Sequence, residues 1–190
     1  MAELLLIRHG QTEWSRDGRH TGRIDVPLTG EGRRHAALLR GALDGRSLAR
    51  VFTSPLSRAS ETCRLAGRDE RAEPRDELLE WDYGELEGAT TPEIREERPG
   101  WLLWRDGCPG GESAEQVSAR VDPFVGELRG LAGDAAIFAH GHVLRVLAAR
   151  WVGLSAADGS RLALSTASVS ILGWERELPV VRLWNSEPAG

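Results

Sequence analysis

Three short segments carry residue types that could bind and attack a phosphate. Arg8-His9-Gly10 follows an apolar run, Ser54-Pro55-Leu56-Ser57-Arg58 follows a second, and His140-Gly141-His142 follows a third. Arginine offers planar, permanently charged donors that match phosphate oxygens, and imidazole can act as nucleophile, base or metal ligand. Helix N-termini near such residues would add backbone N–H groups. Most of the 24 basic residues must be solvated, so no single arginine carries the argument. What matters is that two arginines and two histidines fall at the ends of apolar runs.

Other chemistries fit the same residues less well. His140 and His142 would face opposite sides of an extended strand, and no third ligand with familiar spacing accompanies them, which weighs against zinc. All 24 basic residues are arginine, and the lack of any lysine removes the Walker A lysine and the pyridoxal Schiff base. No serine sits in G-x-S-x-G, and no G-x-G-x-x-G follows a strand. Gly110-Gly111-Glu112-Ser113 reads as a helix cap rather than a phosphate loop. His20 and His35 read as a loop histidine and a helix-surface histidine. Trp101 and Trp104 read as core or lid packing, with a substrate-facing lid as the sharper alternative.

The elements that must position these groups follow from patterning. Ala2–Ile7, Arg50–Thr53 and Ala135–Ala139 read as buried strands, and Ala72–Leu79 as a weakly signalled one. Gly10–Leu28 reads as a long loop. Thr29 N-caps a helix to about Asp44, and Ser54-Pro55 gives an N-cap and N1 proline for a helix through Leu65. A short helix is expected near Pro92–Glu97. Ser113–Gln116 is a capping box for a helix to about Leu131, and Val143–Val152 is an apolar helix. Ala167–Trp174 and Val180–Trp184 would close the chain as a hairpin around Glu175–Pro179. Alternating strands and helices imply an α/β fold: a three-layer α/β/α sandwich with a mainly parallel central sheet. In such sheets ligands bind beyond the carboxyl ends of the strands, where the three segments converge.

The 190 residues suggest one domain, 1–190, with a lid-like segment at about 82–112. A net charge of −5 argues against a nucleic-acid surface, so local arginines must attract any anionic substrate. Cys63 and Cys108 make a poor disulfide framework and fit a reducing cytoplasm. The run Leu4–Ile7 is far too short for a signal peptide core or a membrane span, so neither export nor a membrane partner is expected. A homodimer is left open, since no exposed stripe can be read from the sequence.

Five ordered blocks resemble the histidine phosphatase superfamily, also called phosphoglycerate mutase-like. They are Leu6–Trp14, Thr21–Thr29, Ser54–Thr62, Glu80–Gly88 and Ala139–His142. The resemblance implies that His9 attacks phosphorus and carries a phosphohistidine. It implies that Arg8, Arg58 and His140 hold the equatorial oxygens, and that Glu80 protonates the leaving oxygen and then activates water. By family position only, Ser15, Thr21, Gly22, Tyr83 and His142 would contact substrate. Tyr83 reads equally as a packed ring. No metal or other cofactor is called for. Guanidinium charges would keep His9 neutral, burial beside Trp81 would favour a protonated Glu80, and an acidic to near-neutral optimum follows.

Cofactor-dependent mutases of the superfamily carry a longer insertion between the acid and the second histidine, with a lysine and paired arginines. Here Glu80 and His140 are sixty positions apart, with no lysine and no Arg-Arg pair between them. Where mutases have His-Gly-Asn and Trp-Asn, this chain has His140-Gly141-His142 and Trp14-Ser15. The expectation is therefore a metal-independent phosphatase acting on small phosphorylated metabolites, broad or acid phosphatase-like. The segment Trp101–Cys108 with Gly111-Glu112-Ser113 resembles bacterial acid phosphatases and also phosphatases of sedoheptulose 1,7-bisphosphate. A sugar-bisphosphate phosphatase is the alternative, ahead of a mutase.

Overall fold

A computed structural model describes residues 2–188. Six strands, β1 (Leu4–Arg8), β2 (Arg50–Thr53), β3 (Ala72–Pro74), β4 (Ala135–Ala139), β5 (Val169–Glu175) and β6 (Leu178–Ser186), form one sheet. Their order is β3-β2-β4-β1-β5-β6. β1 to β4 run parallel; β5 is antiparallel to β1, and β6 to β5. Only β5 therefore runs against the rest, and the mainly parallel sheet expected from the sequence is borne out.

Alternation along β1 explains the layers. Leu4 and Leu6 join a core with Val117, Val121, Phe124 and Leu128 of α6 (Ala114–Arg129) and Leu144 and Leu147 of α7 (Gly141–Trp151). Leu5 and Ile7 join a second core with Leu39 and Leu43 of α2 (Gly30–Leu43) and Cys63 of α3 (Ser57–Leu65). Side chains one apart on a strand point to opposite faces, so an unbroken run of four apolar residues needs helices on both sides. All four are fully buried, each contributing roughly 1.5–3 kcal/mol by transfer from water.

Local signals set most boundaries. The Thr29 side chain accepts from Gly32 N, and Ser113 and Gln116 form the capping box. Four expectations need correction. The 10–28 stretch contains a one-turn helix, α1 (Glu13–Arg16), closed by a Thr12–Ser15 capping box. β3 spans only three residues, because Asp76–Leu78 turns into a 3-10 helix. The short helix α4 (Thr91–Glu97) is followed by an unforeseen single turn, α5 (Leu103–Asp106). Most consequentially, α3 starts at Ser57 with Leu56 as an uncapped N-cap, not at Ser54. The Ser54 hydroxyl is engaged elsewhere.

Candidate active site

Parallel register builds the site. Arg8 lies beside Ala139 in the ladder, and Thr53 beside Phe138. The ladder runs past the strand ends, with His9 N donating to Ala139 O (2.9 Å) and Ser54 N to Phe138 O (2.8 Å). Three residues distant in sequence therefore stand on adjoining rungs. The rings of His9 and His140 are 5.2 Å apart, and His140 Nε2 lies 2.7 Å from Ser54 Oγ.

Hydrogen bonds fix the tautomers. His9 Nδ1 is 2.7 Å from Gly10 O, which can only accept, so Nδ1 carries the proton and Nε2 keeps its lone pair. Arg58 Nε, always a donor, meets His140 Nδ1 at 3.1 Å, so His140 bears its proton on Nε2 and donates it to Ser54. Burial, then the charges of Arg58 and Arg8, hold His9 well below the usual imidazole pKa, and burial and Arg58 do the same for His140. Both rings are neutral.

Glu80 reaches the site through the N-terminus of α7. Oε1 accepts from Trp81 N (2.9 Å) and Val143 N (2.9 Å), and Oε2 from His142 N (3.0 Å). The carboxyl is only 4% exposed, yet burial beside Trp81 comes with three N–H partners. Oε1 has both lone pairs engaged; Oε2 has one open, and that is the position from which a proton can move. Arg120 anchors this corner, donating to Glu80 O and Glu77 O and pairing with Glu112.

A cavity of about 260 Å³ opens over these groups, lined among others by Arg8, His9, Ser15, Thr21, Glu80, Tyr83 and His142. The structure thus gathers seven of the ten sequence-derived site residues around one space. Arg58, His140 and Gly22 stand behind it. Arg58 is fully buried; Nη1 donates to Ile24 O and Nη2 to Thr21 O and Gly22 O, so it clamps the 21–24 loop as well as His140. Gly22 is there because a Cβ would meet Trp81 O at 2.8 Å. The Ser15 hydroxyl is tied into the α1 cap. Arg8 donates to Leu164 O, but its buried Nε has no acceptor among the described residues.

Tyr83 is a packed ring that also lines the cavity, with one polar contact at its hydroxyl. It is 2% exposed, and among the described residues its hydroxyl meets only His142 Nδ1. A buried phenol proton needs an acceptor, so Tyr83 donates to Nδ1 and the proton of His142 sits on Nε2. Burial raises the phenol pKa well above its usual value, and burial with the Arg145 charge holds His142 neutral. Trp101 and Trp104 do not line the cavity. They pack behind it, Trp101 edge-on to His20 at 5.5 Å and Trp104 5.4 Å from His142.

His20 and Arg145 are among the lining residues that the sequence did not mark as part of the site. His20 was read as a loop histidine, but its Nδ1–H donates to Ala89 O, burial lowers its pKa, and it forms part of the wall. Arg145 joins it from α7, three residues after His142. The one available signal was its charge inside the otherwise apolar Val143–Ala149. His35, by contrast, is a helix-surface residue 2.8 Å from Glu31, as expected. Cys63 and Cys108 are both free thiols. Among the described residues, no group of three or more His, Cys, Asp or Glu is arranged to hold a metal ion, and no helix is long and apolar enough to cross a membrane.

Comparison with known proteins agrees with this geometry. A model of the histidine phosphatase superfamily (branch 1) matches residues 4–187. The chain is 46% identical over 187 residues to an acid phosphatase of Mycobacterium tuberculosis, covering 95% of this chain and 92% of that one. It is 39% identical over 183 residues to sedoheptulose 1,7-bisphosphatase of Saccharomyces cerevisiae, covering 79% and 67% respectively. The solved structure of an open reading frame product from M. tuberculosis superposes with a TM-score of 0.92 at 42% identity, covering 99% of each chain.

Proposed function

The chain belongs to the histidine phosphatase superfamily, and from that premise we propose that it hydrolyses phosphomonoesters of small metabolites through a phosphohistidine, without a metal. The observation that carries this reading is the His9 tautomer. An imidazole with Nδ1–H fixed on Gly10 O presents Nε2 as a lone-pair nucleophile, neutral at physiological pH, beside Arg8 and Glu80 in one cavity.

The Nε2 lone pair bonds to phosphorus as the ester P–O bond breaks, and the departing alkoxide takes the proton from Glu80 Oε2. Water then attacks the phosphohistidine; Glu80 accepts its proton, the P–N bond breaks, and His9 recovers its pair. Products are alcohol and inorganic phosphate. Arg8 meets the equatorial oxygens first, with an uncommitted Nε–H. Arg58 and His140 act from behind through charge and positioning, and each reaches a phosphoryl oxygen only by exchanging a protein acceptor for it. Side-chain cations thereby supply the positive field that such a transition state requires.

Two relatives favour different substrate ranges: the acid phosphatase supports a broad phosphomonoesterase, and the sedoheptulose bisphosphatase supports a sugar-bisphosphate specialist. The free cysteines fit a reducing compartment, and we place the reaction in the cytoplasm. The test is inorganic phosphate release from phosphomonoesters, sugar bisphosphates and 3-phosphoglycerate, with His9→Ala as control and a chelator as a second arm. Release that disappears in His9→Ala and persists with chelator supports the reading, and the ranking of substrates separates generalist from specialist. Release that survives in the variant, loss of activity in chelator, or isomerisation of 3-phosphoglycerate without release would overturn it.

A further inference from the structure

The groups aimed at phosphorus account for only part of the cavity wall. Arg145 lines the same space and has no role in the steps above. Its Nε donates to Gly159 O (3.0 Å) and Nη2 to Ser160 O (3.1 Å), while Cζ sits 4.6 Å from the centre of the Trp104 ring. Gly159 permits this packing, since a Cβ there would meet Trp104 at 2.8 Å. These contacts set the plane of the guanidinium, but every one is to a neutral group. Nη1 makes no hydrogen bond to the described residues, and no carboxylate among them pairs with Arg145. Arg19, on the same wall, differs in having Glu93 at 3.6 Å.

A half-buried cation without a counter-charge is costly unless something supplies one. Charge counting says what. With Glu80 carrying the proton that it gives to the leaving oxygen, Arg8 and Arg58 match the two charges of a phosphomonoester dianion, which leaves Arg145 in surplus. Burial lowers its pKa, although Glu80 and Tyr83 across the cavity oppose the shift.

We propose that Arg145 is a specificity-determining residue that receives a second anionic group, a carboxylate or a second phosphate, on the substrate beyond the scissile ester. With both anionic groups inside about 260 Å³, the carbon chain between them is short. The assignment rests on the phosphatase reading for its substrate, but its binding component can be measured without turnover.

Calorimetry on the whole protein would compare a neutral alkyl phosphonate with phosphonates of equal length ending in a carboxylate or a second phosphonate. The wild type should bind one or both doubly anionic ligands at least about tenfold more tightly, and the better of the two identifies the group. Arg145→Met should bring that ratio to about one while leaving the alkyl phosphonate within about twofold. Arg145→Lys, keeping charge without the planar fork, should give an intermediate ratio. In turnover, Arg145→Met should raise KM for 3-phosphoglycerate and spare glycerol 3-phosphate. A wild-type ratio near one, or equal weakening of all ligands in Arg145→Met, overturns the proposal; the second result would mark Arg145 as an anchor for Ala156–Arg161. If the wild type releases no phosphate from any ester, the phosphatase reading fails while the affinity ratio still decides this one.

Discussion

Glu80 shows how much of the proposed chemistry hangs on individual lone pairs. An amide in its place keeps one acceptor and turns the other into a donor. The carbonyl would stay with Trp81 N and Val143 N, which sets an NH₂ against the N–H of His142. Glu80→Gln should therefore lose about 1–3 kcal/mol of stability, read from a shifted urea midpoint. Its rate should fall steeply for alkyl phosphates and much less for nitrophenyl phosphate, whose leaving group needs no proton. A loss independent of leaving group would remove Glu80 as the proton donor. This residue also marks the limit of reading a site from sequence. Arg8, His9 and His140 were legible because each stands at the carboxyl end of an apolar run. Glu80 follows none, and only family resemblance pointed to it; it meets its partner 62 positions away through the start of α7. His20 and Arg145 looked like the many polar residues that face solvent, and only the folded wall distinguishes them.

Between elements, the tie that matters most is the one from α3 to the 21–24 loop. Arg58 bonds four acceptors spread around its fork: His140 Nδ1 and the carbonyls of Thr21, Gly22 and Ile24. An ammonium presents its donors from one point and cannot span them. Arg58→Lys should lose at least two charge-assisted bonds, about 3 kcal/mol or more, together with more than tenfold in activity. Near-wild-type stability in that variant would show that the loop is held by other contacts. A second junction packs backbone on backbone: a Cβ on Gly10 would meet Gly32 O at 2.4 Å, so the turn after β1 rests directly on the first turn of α2. Gly10→Ala should push that turn off α2, costing about 1–3 kcal/mol and displacing the Gly10 carbonyl that fixes the His9 tautomer. Unchanged stability and kcat would contradict this. The caps at Thr29 and Ser113 were legible because each oxygen still accepts from its helix N–H while its hydroxyl proton goes to Gln11 or Glu115. Ser54 was misread because its hydroxyl bonds His140, a contact that exists only after the sheet has formed.

Across the whole molecule, acidification spares the nucleophile while it erodes stability. A chain of net charge −5 concentrates Arg8, Arg19, Arg58 and Arg145 at one edge of its sheet, and the histidines among them are held neutral by burial and by those charges. His20 is lowered as well, by burial. For catalysis this is favourable, since His9 keeps its lone pair as the pH falls below 6.5. For stability it is not. In the unfolded chain these histidines take up protons near their ordinary pKa, whereas the native state refuses them until lower pH. Protons bind preferentially to the unfolded form in that window, so stability must fall as pH drops from about 7 to 5.5. The slope is up to about 1.4 kcal/mol per pH unit for each histidine so held. The lowered carboxylates do not offset it: Asp106, at about 2, stays ionised in both states over this range. Urea unfolding at half-unit pH steps measures the slope directly, and a stability that is flat or rises between pH 7 and 5.5 would mean that these imidazoles are protonated in the native state, which would also deprive His9 of its nucleophilic form.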